Sequence, residues 1–140
     1  PNEVHLKGTF RSLNETWRYE VHEKIRTIIE DICLKRGATS DLKIPVGYPS
    51  VYNDPDLTSR MKASAIEFLG EDKVHDLPVR MTAEDFSFYA REIPGCFYRI
   101  GTSSPNSELG HSGLHTPHFD VDEDSLKLGA GLMAFAAATT

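Results

Sequence analysis

The sequence lacks several patterns that would place the chain in a common class of protein. No apolar run approaches the ~20 residues that a membrane-spanning helix needs. The basic residues are dispersed and the net charge is −6, which argues against a phosphate-binding surface for nucleic acid. Neither a G-x-S-x-G nucleophile motif nor a Gly-rich phosphate loop is present. With 39% hydrophobic and 26% charged residues, the composition predicts a soluble globular protein without nucleic-acid or membrane partners.

Cysteine is also scarce. Cys33 and Cys96 lie far apart and outside any C-x-x-C pair, which predicts buried free thiols and fits a reducing, cytoplasmic location. The charged and apolar regions of a secretory signal are missing as well. The sequence starts at Pro1 without an initiator Met, directly in a strand-like pattern, so we expect further sequence upstream.

The first 50 residues show the pattern of a strand, a long helix and a second strand. Apolar residues alternate at Val4, Leu6 and Phe10, and again at Leu42, Ile44, Val46 and Tyr48. Between them, apolar residues recur at helical spacing from Val21 to Ile32, with Asn14 as a candidate cap and Gly37 as a stop. The two strands would run parallel in one sheet, and they are too few to cover the helix.

The remaining residues predict more helix than strand. Asp54 and Pro55 start a second amphipathic helix that Gly70 ends. A short helix is expected from Thr82 through Ala90, a buried strand over residues 96–100 and a loop over residues 101–113. Asp120 or Asp122 then caps a final helix with an apolar face formed by Leu126, Ala130, Met133 and Ala137.

One motif points to a metal site. Residues 113–126 read GLHTPHFDVDEDSL, which places a histidine in a stiffened loop ahead of a helix. Residues 6–12 read LKGTFRS and residues 81–89 read MTAEDFSFY, followed by Pro94 and Gly95. In order and spacing these three segments resemble the final third of the zinc-dependent aminoacylase and carboxypeptidase family, in its branch of amidohydrolases that act on N-acyl amino acids.

The resemblance implies a fold and a domain boundary. Residues 1–53 would form the second half of a ferredoxin-like lid and dimerisation domain, built as strand, helix and strand. Residues 54–140 would form the C-terminal part of an α/β zinc-peptidase catalytic domain. The predicted class is therefore α+β or α/β, and a homodimer through the lid is expected.

His115 is the candidate metal ligand, because the resembled family binds metal at the histidine two residues before this proline and neutral imidazole suits zinc. From its residue type alone, a lone loop histidine is more often structural or exposed. His111 and His118 could in principle complete a local three-histidine site. Gly113 and Pro117 interrupt any helix that would align those rings, which disfavours such a site.

Three further residues are candidates near the active site. Glu84 and Asp85 are adjacent in sequence, so they would point about 100° apart on a helix and cannot both face one metal. Their ordinary role is favourable charge in a first helical turn, and the resemblance implies a place in the pocket wall. Arg11 could bind a substrate carboxylate with paired donors, although a solvated arginine on a strand is the simpler interpretation.

The remaining family motifs do not occur in this chain. The resemblance implies a pair of divalent metal ions, most simply zinc, with the other ligands and a general-base glutamate lying upstream. The metal-activated water would then attack the amide of an N-acyl-L-amino acid. No catalytic residue is expected in this chain, which should be inactive alone. The alternative is a non-catalytic dimerisation or interaction module derived from such an enzyme.

Overall fold

The computed structural model describes residues 2–104 and 108–139, and their regular structure is helical. α1 spans Glu15–Lys35, α2 spans Pro55–Leu69, α3 spans Phe86–Glu92 and α4 spans Asp124–Thr139. A short 3₁₀ turn, Glu71–Lys73, follows α2. Within these described residues there is no β-strand. The prediction of an α+β or α/β fold, with a strand-helix-strand half-lid and an α/β catalytic part, is therefore wrong for this chain.

The two N-terminal strands fail to form because a strand needs a neighbour to pair its N–H and C=O groups. Leu6 lies in a segment without regular structure and is 90% exposed. The second segment contains Pro45 and is followed by Pro49, and neither residue has an N–H to donate to a ladder. Alternating apolar residues predict a strand only where a second strand is available, and the described residues offer none.

α1 begins and ends where the sequence predicts. The side chain of Asn14 accepts a hydrogen bond from the Trp17 N–H at 2.9 Å. At the other end, Gly37 takes a φ of 67°. The Gly37 N–H donates to Leu34 O at 3.2 Å and the Ala38 N–H donates to Cys33 O at 2.9 Å. This pair of bonds is a Schellman motif, which accounts for the stop at a glycine.

A buried charge network fixes the start of α1. Arg18 is 8% exposed, and its guanidinium lies 2.6 Å from the Glu15 carboxylate. It also donates to Tyr48 O at 2.8 Å, while the Ser50 N–H donates to the Glu15 carboxylate at 3.0 Å. These bonds hold residues 48–50 against the first turn of the helix.

α2 and α4 pack against each other in opposite directions. The hydroxyls of Ser64 and Thr139 are 2.9 Å apart, and the rings of Phe68 and Phe135 lie 5.4 Å apart. A Cβ added to Gly131 would come within 2.9 Å of the Phe68 ring, so a glycine there permits the close approach. The buried apolar residues of the pair are Ala65, Leu132 and Ala136.

The face of α4 that packs is not the predicted one. Leu132 is 3% exposed, whereas Leu126, on the face chosen from the sequence, is 61% exposed. Met133 on that same predicted face is also more than half exposed. The helix is apolar on several sides, so periodicity alone does not identify the side that meets α2.

The segment predicted as a buried strand at residues 96–100 pairs with a side chain instead. The Asn53 amide donates to Phe97 O at 2.9 Å and its carbonyl oxygen accepts from the Phe97 N–H at 2.8 Å. The Asp54 N–H donates to Gly95 O at 2.9 Å. The Asn53 side chain thus satisfies both backbone groups of Phe97, as a neighbouring strand would.

The chain divides into two compact units. The first comprises Pro1–Val51 and Pro78–Tyr89, and the second comprises Tyr52–Leu77 and Ala90–Thr140. The assignment of residues 1–53 to a lid and residues 54–140 to a catalytic part stays a prediction. Cys33 and Cys96 are both free, as predicted, but each is only half-buried. None of the helices in the described residues is both long enough and apolar enough to span a membrane.

Candidate metal-binding loop

His115 lies in a tight turn between Gly110 and α4. Among the described residues, it is the one non-glycine residue with a positive φ, which is 63°. The Thr116 hydroxyl donates to Gly113 O at 2.8 Å and the Phe119 N–H donates to Thr116 O at 3.1 Å. A left-handed backbone is unfavourable for a residue with a Cβ and is often found at functional sites. The turn leaves His115 exposed to solvent.

The base of this loop is tied together by backbone amides. The Gly110 N–H donates to the Asp120 carboxylate at 2.8 Å. Two residues further on, the Asp122 N–H donates to Thr102 O at 2.9 Å. Residues 110–120 therefore form a closed loop that carries His115 near its middle, and we call this segment the His115 loop.

The start of α4 borders the same region. The Asp122 carboxylate accepts from the Asp124 N–H at 3.1 Å, so Asp122 rather than Asp120 caps the helix. A hollow of about 200 Å³ lies beside this cap. Its lining residues, most of which carry polar side chains, are Gly101, Thr102, Ser103, Ser104, Asp122, Asp124, Ser125 and Leu128.

The three histidines of this region do not form a metal site by themselves. His111, His115 and His118 are all exposed, and the His111 ring lies 3.2 Å from Ser104 O. Over residues 2–104 and 108–139, no three histidine, cysteine or carboxylate side chains come close enough together to hold an ion. Within this part of the chain, His115 can act only as one member of a larger ligand set.

Glu84 and Asp85 precede α3 in the first unit. Both the N–H and the hydroxyl of the fully buried Ser87 donate to Glu84 O, at 3.2 and 2.6 Å. The Phe88 N–H donates to Asp85 O at 3.0 Å. These bonds show that both residues start the short helix, which begins at Phe86 and not at the predicted Thr82.

Arg11 belongs to the same unit. Its guanidinium donates to Met81 O at 2.7 Å, three residues before Glu84. The structure therefore brings Arg11, Glu84 and Asp85 into one unit, while His115 lies in the other. The strand on which Arg11 was expected is absent from the described residues, and the carbonyl bond places its side chain instead.

The resolved pKa shifts fall outside the candidate residues. Burial raises the pKa of the Tyr98 hydroxyl, with a smaller effect from Cys96. The hydrogen bond and charge of Lys73 lower the pKa of the exposed Asp72 carboxyl. Neither Tyr98 nor Asp72 is one of the candidate site residues.

Sequence reasoning missed the part played by Gly110 and Asp120. The sequence suggests Asp120 only as a candidate helix cap, whereas its carboxylate accepts a hydrogen bond from a backbone amide ten residues earlier. A bond over that distance leaves no spacing signal. The one available hint in the sequence is the glycine at position 110, because glycine readily adopts a positive φ. Its φ in the structure is 77°.

Comparison with known proteins gives the family. The model of peptidase family M20/M25/M40 matches residues 6–139. IAA-amino acid hydrolase ILR1-like 6 of Arabidopsis thaliana is 35% identical over 142 residues, covering 98% of this chain and 30% of the relative. Thermostable carboxypeptidase 1 of Saccharolobus solfataricus is 35% identical over 133 residues, covering 93% and 32%. N-acetyldiaminopimelate deacetylase of Streptococcus suis is 31% identical over 124 residues, covering 86% and 31%.

The chain spans about a third of the length of the curated relatives it matches. No solved structure matches it. The matched range includes all three motif segments, so the resemblance noted from the sequence is confirmed. On this evidence the chain belongs to peptidase family M20/M25/M40, a family of hydrolytic enzymes.

Proposed function

We propose that this chain is the C-terminal part of a metal-dependent amidohydrolase that cleaves the amide bond of N-acyl-L-amino acids. The observation that carries the proposal is the family match over residues 6–139, which includes an exposed histidine held in a closed loop. The names IAA-amino acid hydrolase and N-acetyldiaminopimelate deacetylase support amide bonds between an acyl group and an amino acid as the substrate class.

His115 would supply one metal ligand. Its ring is exposed and lies on a turn fixed by several hydrogen bonds, and imidazole nitrogen suits a divalent metal such as zinc. We infer a pair of ions in the complete site, with the remaining ligands and the general base on residues outside this chain. When bound, such ions lower the pKa of a water toward about 7.

The first unit would contribute to the substrate pocket. Arg11 keeps further guanidinium donors beside the one that binds Met81 O, and these could pair with the carboxylate of an amino-acid substrate. Glu84 and Asp85 would shape the pocket wall from the start of α3. We assign residues 1–53 to the dimerisation part of the enzyme and residues 54–140 to its catalytic part.

Homodimerisation is the expected association. Ile28 and Ile32 of α1 are each more than half exposed, which leaves apolar surface available for a partner. The free thiols of Cys33 and Cys96 favour a cytoplasmic location, where thiols remain reduced.

A chimera tests the function. The matching third of the Saccharolobus carboxypeptidase would be replaced by residues 6–139 of this chain, and release of amino acid from N-acyl amino acids would be measured. The chimera should be active, and His115→Ala should abolish turnover while the neighbouring His118→Ala should retain it. Full activity of a folded His115→Ala chimera would contradict the assignment of His115 as a ligand.

A further inference from the structure

The His115 loop contains hydrogen bonds between residues close in sequence and one hydrogen bond that joins its two ends. Near its tip, the bonds from Thr116 to Gly113 and from Phe119 to Thr116 join residues only three apart. These bonds shape the turn but cannot fix it relative to the rest of the protein. The 2.8 Å bond from the Gly110 N–H to the Asp120 carboxylate joins the two ends of the loop.

Gly110 leaves the entry of the loop little freedom. Its φ is 77°, and a Cβ built at this position would lie 2.0 Å from Thr102 O. The backbone of Gly110 therefore packs directly on residues 102–103 without space for a side chain. The N–H that reaches Asp120 is held in place by this contact.

The exit of the loop is fixed to the same segment. The Asp122 N–H donates to Thr102 O at 2.9 Å, two residues after Asp120. Asp120 is half-buried, and a carboxylate that accepts an amide N–H forms a stronger bond than a neutral acceptor does. Both ends of the His115 loop thus meet on residue 102, with Asp120 as the side chain that closes it.

We propose that Asp120 is a positioning residue for His115. By closing the loop on the Gly110 N–H, its carboxylate maintains the left-handed backbone that presents the imidazole. His115 would otherwise relax toward the negative φ that a residue with a Cβ prefers. The relevance to metal binding rests on the proposed function, in which His115 is a ligand, but the conformational role does not.

Nuclear magnetic resonance on the 140-residue chain tests the proposal. Two backbone readouts are needed: the hydrogen-exchange rate of the Gly110 amide, and the intraresidue amide-to-Hα Overhauser effect of His115, which is strong only at positive φ. The variant is Asp120→Ala. Asp120→Asn keeps an oxygen acceptor, and Glu123→Ala removes an exposed carboxylate three residues away.

Asp120→Ala should speed exchange of the Gly110 amide by about ten- to a hundredfold, the equilibrium effect of losing one charge-assisted hydrogen bond. It should also weaken the His115 Overhauser effect while the α4 resonances stay in place. Asp120→Asn and Glu123→Ala should retain both signals. Gly110→Ala should also weaken the His115 Overhauser effect, as Asp120→Ala does, because the added Cβ cannot fit beside Thr102 O.

The proposal is overturned if His115 keeps its left-handed signature in Asp120→Ala, or if Asp120→Asn is as disruptive as alanine. A zinc titration of the same samples, followed at the His115 ring nitrogens, separates the two claims. Zinc-induced shifts that are smaller in Asp120→Ala than in the parent chain would support positioning for metal binding. Equal zinc-induced shifts in the two chains would count against positioning for metal binding and leave the backbone result standing, whereas failure of the proposed function is read separately from the His115→Ala chimera.

Discussion

The helices of the two units begin at similar side-chain caps but bury different kinds of side chain. In the first unit, the buried residue of α1 is Arg18, and two isoleucines of the same helix, Ile28 and Ile32, are more than half exposed. In the second unit, α2 and α4 bury apolar residues against each other, among them Ala65 and Leu132. Caps and helix stops act within a few residues, whereas apolar burial needs a second surface. We therefore expect the α2–α4 pair to depend on packing and α1 to depend on its charge network.

The largest effect is expected from Leu132→Ala in the second unit. Leu132 is 3% exposed, and emptying such a position lowers the free energy of unfolding by about 2–5 kcal/mol. Urea unfolding followed by circular dichroism measures the change. Leu126→Ala is the matched control, because that leucine is on the exposed face of α4. Equal losses for the two variants would show that the packed face is assigned incorrectly.

In the first unit, the corresponding change is Arg18→Met. Methionine keeps much of the volume but leaves Glu15 without its ion-pair partner, which should cost about 1–3 kcal/mol because Glu15 retains some contact with water. Hydrogen exchange at the Ser50 amide, which donates to Glu15, reports the loosening. Arg26→Met serves as the control, since its pair with Glu23 is long and exposed. A response no larger than that of the control would exclude the network as the main support of this unit.

The helix caps should contribute similarly to stability in both units. Asn14→Ala and Asp54→Ala each remove the side-chain acceptor for one first-turn amide, at a cost of about 1 kcal/mol. Exchange of the Trp17 and Leu57 amides measures the effect at each helix start. Asn14→Asp retains an acceptor oxygen and should behave like the parent chain. A much larger cost at one cap would mean that the helices differ in local stability as well as in packing.

The smallest effect concerns an exposed carboxyl. A hydrogen bond from Lys73, together with its charge, lowers the pKa of Asp72 below the usual value. Because the folded-state pKa is lowered, the slight stabilisation is present above the unfolded pKa and is lost as the pH falls through the folded pKa. Lys73→Met should return the pKa toward its usual value in a carbon-13 titration. Lys62→Met, whose ammonium group pairs with Asp76, should leave the pKa of Asp72 in place.

The boundaries of α1 and α2 could be predicted because their signals are local, whereas α3 begins four residues after the predicted Thr82. Asn14, Asp54 and Gly37 each act within a few residues of the end they define. The strands could not be predicted reliably, because Leu6 and Ile44 alternate correctly without a partner strand in the described residues. The packed face of α4 was ambiguous, since Leu126 and Leu132 are equally apolar and only α2 distinguishes them.

The candidate site likewise combines residues that the sequence predicts with contacts that only the structure reveals. His115 follows from a motif, because the resemblance predicts a metal ligand at a histidine two residues before a proline. Its positive φ and the bond from Gly110 to Asp120 depend on contacts between distant residues, which no short pattern records. Arg11 was identified by type, but its bond to Met81 O spans 70 residues and could only be found in the structure.

The most direct test of the account is a calorimetric zinc titration of the 140-residue chain, repeated with His115→Ala. If His115 is one ligand of a site completed by residues outside this chain, the parent chain should bind zinc only weakly. Complete structural zinc sites bind with apparent free energies of about 10–16 kcal/mol. Tight stoichiometric binding that His115→Ala abolishes would contradict the account, because the chain would then hold a complete metal site of its own.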